Sequence, residues 1–184
     1  MKYDPDKHHR RSIRLKGYDY SQGGAYAITV CIRNRECILG EVVGDRVALS
    51  ALGTKAQELW LAIPGRFENV LLDEFIVMPN HVHGIIVIQG EVKTMVEPPE
   101  PALDAPISRE QRRQMLIPKI VGYFKMNSAK AINLLRNTPG VPVWQRNYYE
   151  RVIRTEEEWN ILRQYIAGNP QRWHEDEENP SVFR

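Results

Sequence analysis

Two histidines, a tyrosine and an asparagine are the residues of this chain whose types and spacing could do chemistry. His81 and His83 lie one residue apart at the start of an apolar run that is predicted to be a buried strand, directly after Pro79-Asn80. Because strand side chains alternate between faces and rise ~3.3 Å per residue, both imidazoles should project from one face, about 6.6 Å apart along the strand. That spacing suits two nitrogens that bind one metal ion.

Tyr165 and Asn169 lie four residues apart on neighbouring turns of the last predicted helix, on one face. Thr155 and Glu158 form a capping box that predicts where this helix begins, and Gly168 marks its end. A phenol and an amide oxygen could therefore face a site on the sheet. Two imidazoles and an amide oxygen, with open positions for phosphate, would suit Mg²⁺ or Mn²⁺ better than a closed zinc site.

The histidine pair by itself leaves other chemistry open. A His-x-His pair on a strand also fits a zinc hydrolase, a cupin-like metal site or two structural histidines. No Cys, Asp or Glu offers a further ligand at an obvious spacing. A zinc hydrolase would therefore lack a carboxylate base close to the pair.

Positive charge is unevenly distributed along the 184 residues, whose net charge is +2. Residues 1–35 carry eight Lys/Arg against three Asp, and residues 109–154 carry ten Lys/Arg against two Glu. Two basic surfaces on a nearly neutral protein favour a polyanionic partner, most often nucleic acid. The alternative is a solvated basic helix face.

The segment 143–154 mixes aromatic residues with arginines. Bases stack on aromatic rings and cations neutralise phosphates, so this mixture is typical of a surface that binds single strands. An edge strand with Trp144 and Val152 in the core is the competing interpretation. The predicted DNA contacts are Arg10, Arg11, Arg14, Lys16, Lys125, Lys130, Trp144, Arg146 and Arg151.

The predicted order of elements is strand, strand, helix, strand, strand, basic helix, strand, helix. Hairpins with helices laid on one side predict an α+β domain in which helices cover an antiparallel sheet, nearest to the ferredoxin-like or RNA-recognition type. The basic helix is expected over 108–137, with a break or kink near Pro118. We expect one domain over residues 1–184, with a basic arm at 1–24, a proline-rich connector at 91–107 and an acidic tail at 171–184.

The cellular setting is predicted from what the chain lacks. Its two cysteines lie apart from any Cys/His cluster, which favours a reduced, intracellular protein. No apolar run approaches the roughly 20 residues of a membrane span, and the first residues do not resemble a signal peptide. We therefore expect a cytoplasmic protein that associates with the nucleoid.

Several motifs of this sequence resemble those of the REP-associated tyrosine transposases, a group within the HUH superfamily of single-strand DNA transposases and relaxases. The similarity spans most of the chain apart from the connector and the tail. It is carried by 78–84 (Met-Pro-Asn-His-Val-His-Gly), by 143–150, and by Tyr165-Ile166 with Asn169-Pro170, with further likeness at 10–15 and 34–37.

The resemblance implies an HUH endonuclease fold and metal-dependent nicking and rejoining of single-stranded DNA through a 5′-phosphotyrosine, at hairpin-forming repetitive extragenic palindromes. Tyr165 would be the nucleophile, ahead of the other tyrosines at 123, 148 and 149. His81, His83 and Asn169 would bind Mg²⁺ or Mn²⁺, with Asn169 where related transposases carry a glutamine. Because asparagine is one methylene shorter, its helix must lie closer to the metal.

The implied partner is single-stranded or hairpin DNA, bound by a monomer or a homodimer. A protein that keeps the fold and the basic arm but has lost cleavage, and only binds DNA, is the alternative function.

Overall fold

The computed structural model describes residues 18–90 and 108–182. Its strands are β1 (Gly24–Cys31), β2 (Gly40–Val43), β3 (Arg46–Leu49), β4 (Val70–Val77), β5 (His81–Ile88) and β6 (Tyr149–Ile153). Its helices are α1 (Ala51–Leu61), α2 (Arg109–Gln114), α3 (Leu116–Arg136) and α4 (Glu156–Ala167), with short 3₁₀ helices at Arg33–Arg35 and Pro170–Glu175.

Four strands form one antiparallel sheet in the order β4-β5-β1-β6, and β2 pairs with β3 as a separate hairpin. Across the sheet, Thr29 of β1 lies opposite His83 of β5 on one side and Tyr149 of β6 on the other. Cross-strand partners share a face, so these three side chains form a row on one surface of the sheet.

The main core lies on the other surface. Tyr26, Ile28 and Val30 alternate along β1 and are buried against α1 and α3. Trp60 of α1 meets Phe124 of α3 edge to face, with ring centroids 5.1 Å apart. Large rings packed in this way account for much of the apolar area that a sheet face of this size can bury.

Helix α4 covers the same surface as the histidines and packs through a smaller cluster of Ala25, Ile85, Ile153 and Ile166. The predicted α+β architecture with an antiparallel sheet covered by helices is confirmed, but the helices lie on both faces rather than on one side. The last helix has its own apolar stripe, and α1 and α3 already occupy the opposite face. Within residues 18–90 and 108–182, no helix is long and apolar enough to cross a lipid bilayer.

The predicted long basic helix is two helices, and the break falls at Met115 rather than near Pro118. Met115 has extended backbone angles and separates α2 from α3. Pro118 lies in the first turn of α3, where the missing N–H would have had no partner inside the helix, so it causes no kink. Asn137, in the left-handed conformation, ends α3 before Pro139.

The structure describes the predicted arm, connector and acidic tail to different extents. Residues 1–17 of the arm and 91–107 of the connector lie outside the described residues, whereas Tyr20, near the end of the arm, is buried in the main core. Part of the acidic tail contacts the rest of the fold, although several of residues 171–182 are exposed. Glu178 pairs with Arg35 at 3.1 Å, and Asn179 is 6% exposed.

Candidate active site

His81 and His83 occupy the start of β5 on one face of the sheet, and their ring centroids are 4.4 Å apart. His81 has no exposed surface. The turn before it is closed by a hydrogen bond from Met78 N–H to the His81 carbonyl, at 2.8 Å. This local geometry agrees with the sequence-based prediction that both imidazoles point the same way.

Each imidazole is held through one nitrogen only. His81 Nδ1 lies 2.9 Å from Asn80 Oδ1, and His83 Nδ1 lies 2.8 Å from Thr29 Oγ1. Both Nε2 atoms are buried and have no hydrogen-bond partner among the described residues. Since Asn80 Oδ1 can only accept a hydrogen bond, Nδ1 of His81 carries the proton and Nε2 keeps its lone pair.

Asp176 completes a cluster that the sequence did not predict. One nitrogen of each imidazole and one oxygen of this carboxylate lie within 4.8 Å of one another. Asp176 Oδ1 accepts a hydrogen bond from the Glu178 backbone N–H at 2.7 Å, and Oδ2 lies 4.0 Å from His81 Nε2. The Asp176 side chain is 6% exposed, so it belongs to the interior of the site.

Asn169 lies beside this cluster. The sequence predicted it on the last helix, but α4 ends at Ala167 and Asn169 directly precedes the 3₁₀ helix Pro170–Glu175. Its side chain is 2% exposed, and its Nδ2 donates a hydrogen bond to Asp176 Oδ2 at 3.4 Å. The amide oxygen Oδ1 is buried without a hydrogen-bond partner in the described part of the chain. The Asn169 Oδ1 atom is therefore an unpaired acceptor next to the histidines.

Burial keeps both imidazoles in the neutral form that binds metals. It lowers the pKa of His81 well below its ordinary value, an effect that neighbouring His83 reinforces. Burial likewise lowers the pKa of His83 to about 4, although the negative charge of Asp176 opposes the shift. Neither ring needs to lose a proton at neutral pH to act as a ligand.

Three buried polar atoms without hydrogen-bond partners among the described residues, next to a buried carboxylate, fit a divalent cation. Buried polar groups in folded proteins are nearly always satisfied, and a carboxylate taken out of water requires a compensating charge. His81 and His83 would supply nitrogens, while Asn169 and Asp176 would supply oxygens. A cation bound to all four groups would satisfy each of them.

Tyr165 of α4 lies over His83, with ring centroids 5.5 Å apart at an interplanar angle of 70°. Its side chain remains 40% exposed. Partial burial, and then the charge of Asp176, raise the pKa of its phenol, although the Asn169 amide favours the ionised form. The phenol is therefore protonated at neutral pH and needs a nearby cation or base to become a nucleophile.

An open cleft of about 410 Å³ joins these groups. Its described lining residues are Thr29, His83, Tyr149, Tyr165, Asn169, Arg172, Glu175, Asp176, Glu177 and Glu178. The other tyrosines weighed as nucleophiles are placed differently from Tyr165. Tyr123 packs edge to face on Phe67, and Tyr148 packs against the main core, while Tyr149 lines the cleft.

The predicted DNA contact Trp144 is corrected by its position in the core. Its side chain is 6% exposed, its Nε1 donates to Ser128 Oγ at 2.8 Å, and its ring lies 5.4 Å from that of Phe124. An indole enclosed on these sides has no free face for a base. The competing interpretation, with Trp144 in the core beside an edge strand, describes the structure.

The other predicted contacts within the described residues differ in exposure. Lys130 and Arg146 are exposed, and Arg151 is exposed but paired with Glu158. Lys125 Nζ donates to the carbonyls of residues 145 and 146 at 2.6 and 3.1 Å, and burial lowers its pKa to about 8. Four residues lie outside the described residues: Arg10, Arg11, Arg14 and Lys16.

Comparison with solved structures identifies a protein of similar fold. The chain is similar to a solved REP-associated tyrosine transposase bound to a REP hairpin, with a TM-score of 0.55 and 18% sequence identity over 87% of this chain and 73% of that chain. The protein therefore has the α+β fold of that transposase, and the resemblance in fold is confirmed.

Sequence comparison identifies a nearer relative. A protein of Haemophilus influenzae, described only as uncharacterized, is 40% identical over 176 residues, which cover 96% of each chain. The chain belongs to the same family as this Haemophilus protein. No family model matches the chain.

Proposed function

We propose that the protein is a metal-dependent single-strand DNA endonuclease and transposase that nicks and rejoins DNA through a 5′-phosphotyrosine. The observation that carries this proposal is the position of Tyr165, whose ring lies 5.5 Å from that of His83, above a cluster with unpaired Nε2 atoms. The fold, shared with a transposase bound to a REP hairpin, supports hairpin-forming repeats as the substrate.

His81, His83, Asn169 and Asp176 would hold Mg²⁺ or Mn²⁺. The two oxygen ligands suit either ion, and open positions would be left for phosphate oxygens. A divalent ion there would polarise the scissile phosphate and stabilise the negative charge of the transition state. Asp176 joins the predicted ligands because its Oδ2 lies on the same side of the histidines as the Asn169 amide.

Tyr165 performs the covalent step. Its phenolic oxygen forms a bond to phosphorus while the bond between phosphorus and the 3′ oxygen breaks, so that the strand is left with a 5′-phosphotyrosine and a free 3′-hydroxyl. The phenol loses its proton to solvent, and the leaving oxygen gains one. The phosphotyrosyl ester conserves the energy of the broken phosphodiester bond. A second 3′-hydroxyl can therefore attack the phosphotyrosine and reseal the strand without ATP.

A covalent adduct assay tests this function. A labelled single-stranded hairpin oligonucleotide, incubated with Mn²⁺, should form an adduct with the wild-type protein that survives denaturation, and chelation of the metal should prevent it. Tyr165→Phe removes only the nucleophilic oxygen and should abolish the adduct. The matched variant Tyr149→Phe, which alters the other phenol of the cleft, should retain it.

The outcomes separate the two candidate functions. Adduct formation by Tyr165→Phe would show that another group is the nucleophile. Tight binding of the hairpin by the wild-type protein, without any adduct in Mg²⁺ or Mn²⁺, would favour a DNA-binding protein that has lost cleavage.

A further inference from the structure

Tyr149 presents an aromatic ring to the cleft from the edge of the sheet. Its side chain is 41% exposed and lies on the face that carries His83, with Thr29 between them. Two strand spacings separate Tyr149 from His83, which corresponds to about 10 Å. That is roughly the distance from a phosphate to the far side of its own base.

The cleft that this ring lines is acidic. Glu175, Asp176 and Glu177 line the same cleft as Tyr149, and Glu177 is exposed. Among the described lining residues, Arg172 is the only lysine or arginine. Carboxylates repel a phosphate backbone but accept hydrogen bonds from the amino groups of bases. Glu177, which is not among the proposed metal ligands, is therefore better suited to contact a base than a phosphate.

We propose that Tyr149 is the stacking platform for one nucleobase of single-stranded DNA, next to the phosphate that Tyr165 attacks. The inference rests on the proposed function for its substrate class. The ring covers one face of the base, while the Glu177 carboxylate accepts a hydrogen bond from an exocyclic amino group. Adenine, cytosine and guanine carry such a group and thymine does not, so the cleft disfavours thymine.

Binding of short single strands tests the platform without requiring chemistry. The measurement is fluorescence anisotropy with labelled strands of about 12 nucleotides of deoxyadenosine, deoxycytidine, thymidine or abasic sugar phosphate. It uses the Tyr165→Phe protein in the absence of metal. Tyr149→Leu keeps an apolar side chain but removes the aromatic face, and Tyr149→Phe restores that face.

Loss of stacking should weaken binding of the deoxyadenosine strand by about 5- to 150-fold in Tyr149→Leu, and by little in Tyr149→Phe. The abasic strand should bind the Leu and Phe variants equally, because it has no base to stack. Glu177→Gln should reduce the preference for deoxycytidine over thymidine. If Tyr149 only stabilised the local structure, Tyr149→Leu would also weaken binding of the abasic strand.

Other results would overturn the platform. Equal affinity of Tyr149→Leu and Tyr149→Phe for the deoxyadenosine strand would exclude stacking, while adduct formation by the wild-type protein would leave the proposed function standing. If the protein bound no single strand at all, and the wild type also formed no adduct, both proposals would be wrong.

Discussion

Single hydrogen bonds decide what the two histidines present to the cleft. Thr29 Oγ1 and Asn80 Oδ1 each occupy an Nδ1 atom, so that both Nε2 atoms remain for a metal. Groups that orient ligands in this way are nearly as important to a metal site as the ligands themselves. The effect of the Thr29 hydroxyl can be separated from that of packing, because valine has almost the same shape as threonine but lacks the hydroxyl.

Thr29→Val should weaken Mn²⁺ binding by about 10- to 100-fold, since the His83 ring loses the partner that fixes its orientation. Isothermal titration calorimetry measures the affinity, and circular dichroism checks the fold. The matched control is Thr54→Val, at an exposed threonine of α1, which should leave the affinity unchanged. An unchanged affinity in Thr29→Val would mean that the ring is held by packing alone.

Asp176→Asn should also weaken Mn²⁺ binding, by about tenfold or more, because the number of charged ligands sets the affinity of oxygen-rich sites. The asparagine keeps the size of the side chain and an oxygen acceptor. Asp45→Asn, in the exposed turn of the β2-β3 hairpin, removes the same charge elsewhere and should have no effect. If Asp176→Asn bound Mn²⁺ as tightly as the wild type, Asn169 would provide the oxygen ligand without it.

At the scale of the elements, β5 connects the site to the main core. His83 faces the cleft, while the next residue, Gly84, faces the opposite side and lies against the Trp60 ring of α1. A Cβ at Gly84 would overlap that ring and lie 3.0 Å from the Phe75 Cβ. The histidine strand can therefore pack closely on α1 only with glycine at this position.

Gly84→Ala should destabilise the protein by about 1–3 kcal/mol, since an added methyl in a filled core forces its neighbours to move. Gly122→Ala should instead stabilise it by about 0.5–1 kcal/mol. Gly122 is exposed in the middle of α3, where alanine is the better helix former and no described atom lies within 4 Å of a new Cβ. Urea denaturation measures both changes, and equal effects in the two variants would refute the packing argument.

At the scale of the whole molecule, burying two neutral histidines links stability to pH. The unfolded chain protonates a histidine near pH 6.5. The folded protein keeps His83 neutral down to a pKa of about 4, and His81 is also kept neutral well below its ordinary range. Between these limits the unfolded state binds more protons than the native state, so stability present above pH 6.5 is lost as the pH falls.

In metal-free protein, this linkage should lower the free energy of unfolding by up to about 1.4 kcal/mol per pH unit for each histidine, between pH 6.5 and about pH 4. Urea denaturation at pH 6 and pH 5 measures the slope. His83→Gln should reduce it by one histidine's contribution. His174→Gln, at an exposed histidine, is the matched control, and an equal reduction there would contradict the assignment.

Local sequence determined most of the elements and half of the site. Period-two alternation in β5 predicted that His81 and His83 share a face, because a strand imposes that geometry without outside help. The start of α4 was predicted correctly, since Thr155 Oγ1 accepts the Glu158 N–H at 3.1 Å. Helical spacing also predicted that Tyr165 and Asn169 lie near each other. Tyr165 lies in α4 and Asn169 follows the end of that helix, and both line the cleft with His83.

Only the tertiary structure decided which other groups join them. Asp176 is one of four consecutive acids, a pattern typical of solvated surface, and it becomes part of the site because the chain after α4 folds back onto β5. Trp144 and Tyr149 lie in one aromatic segment, yet the first is buried against α3 and the second is open to the cleft. Spacing along a chain fixes which side chains share an element's face. It cannot fix what packs against that face, because those contacts join residues far apart in sequence.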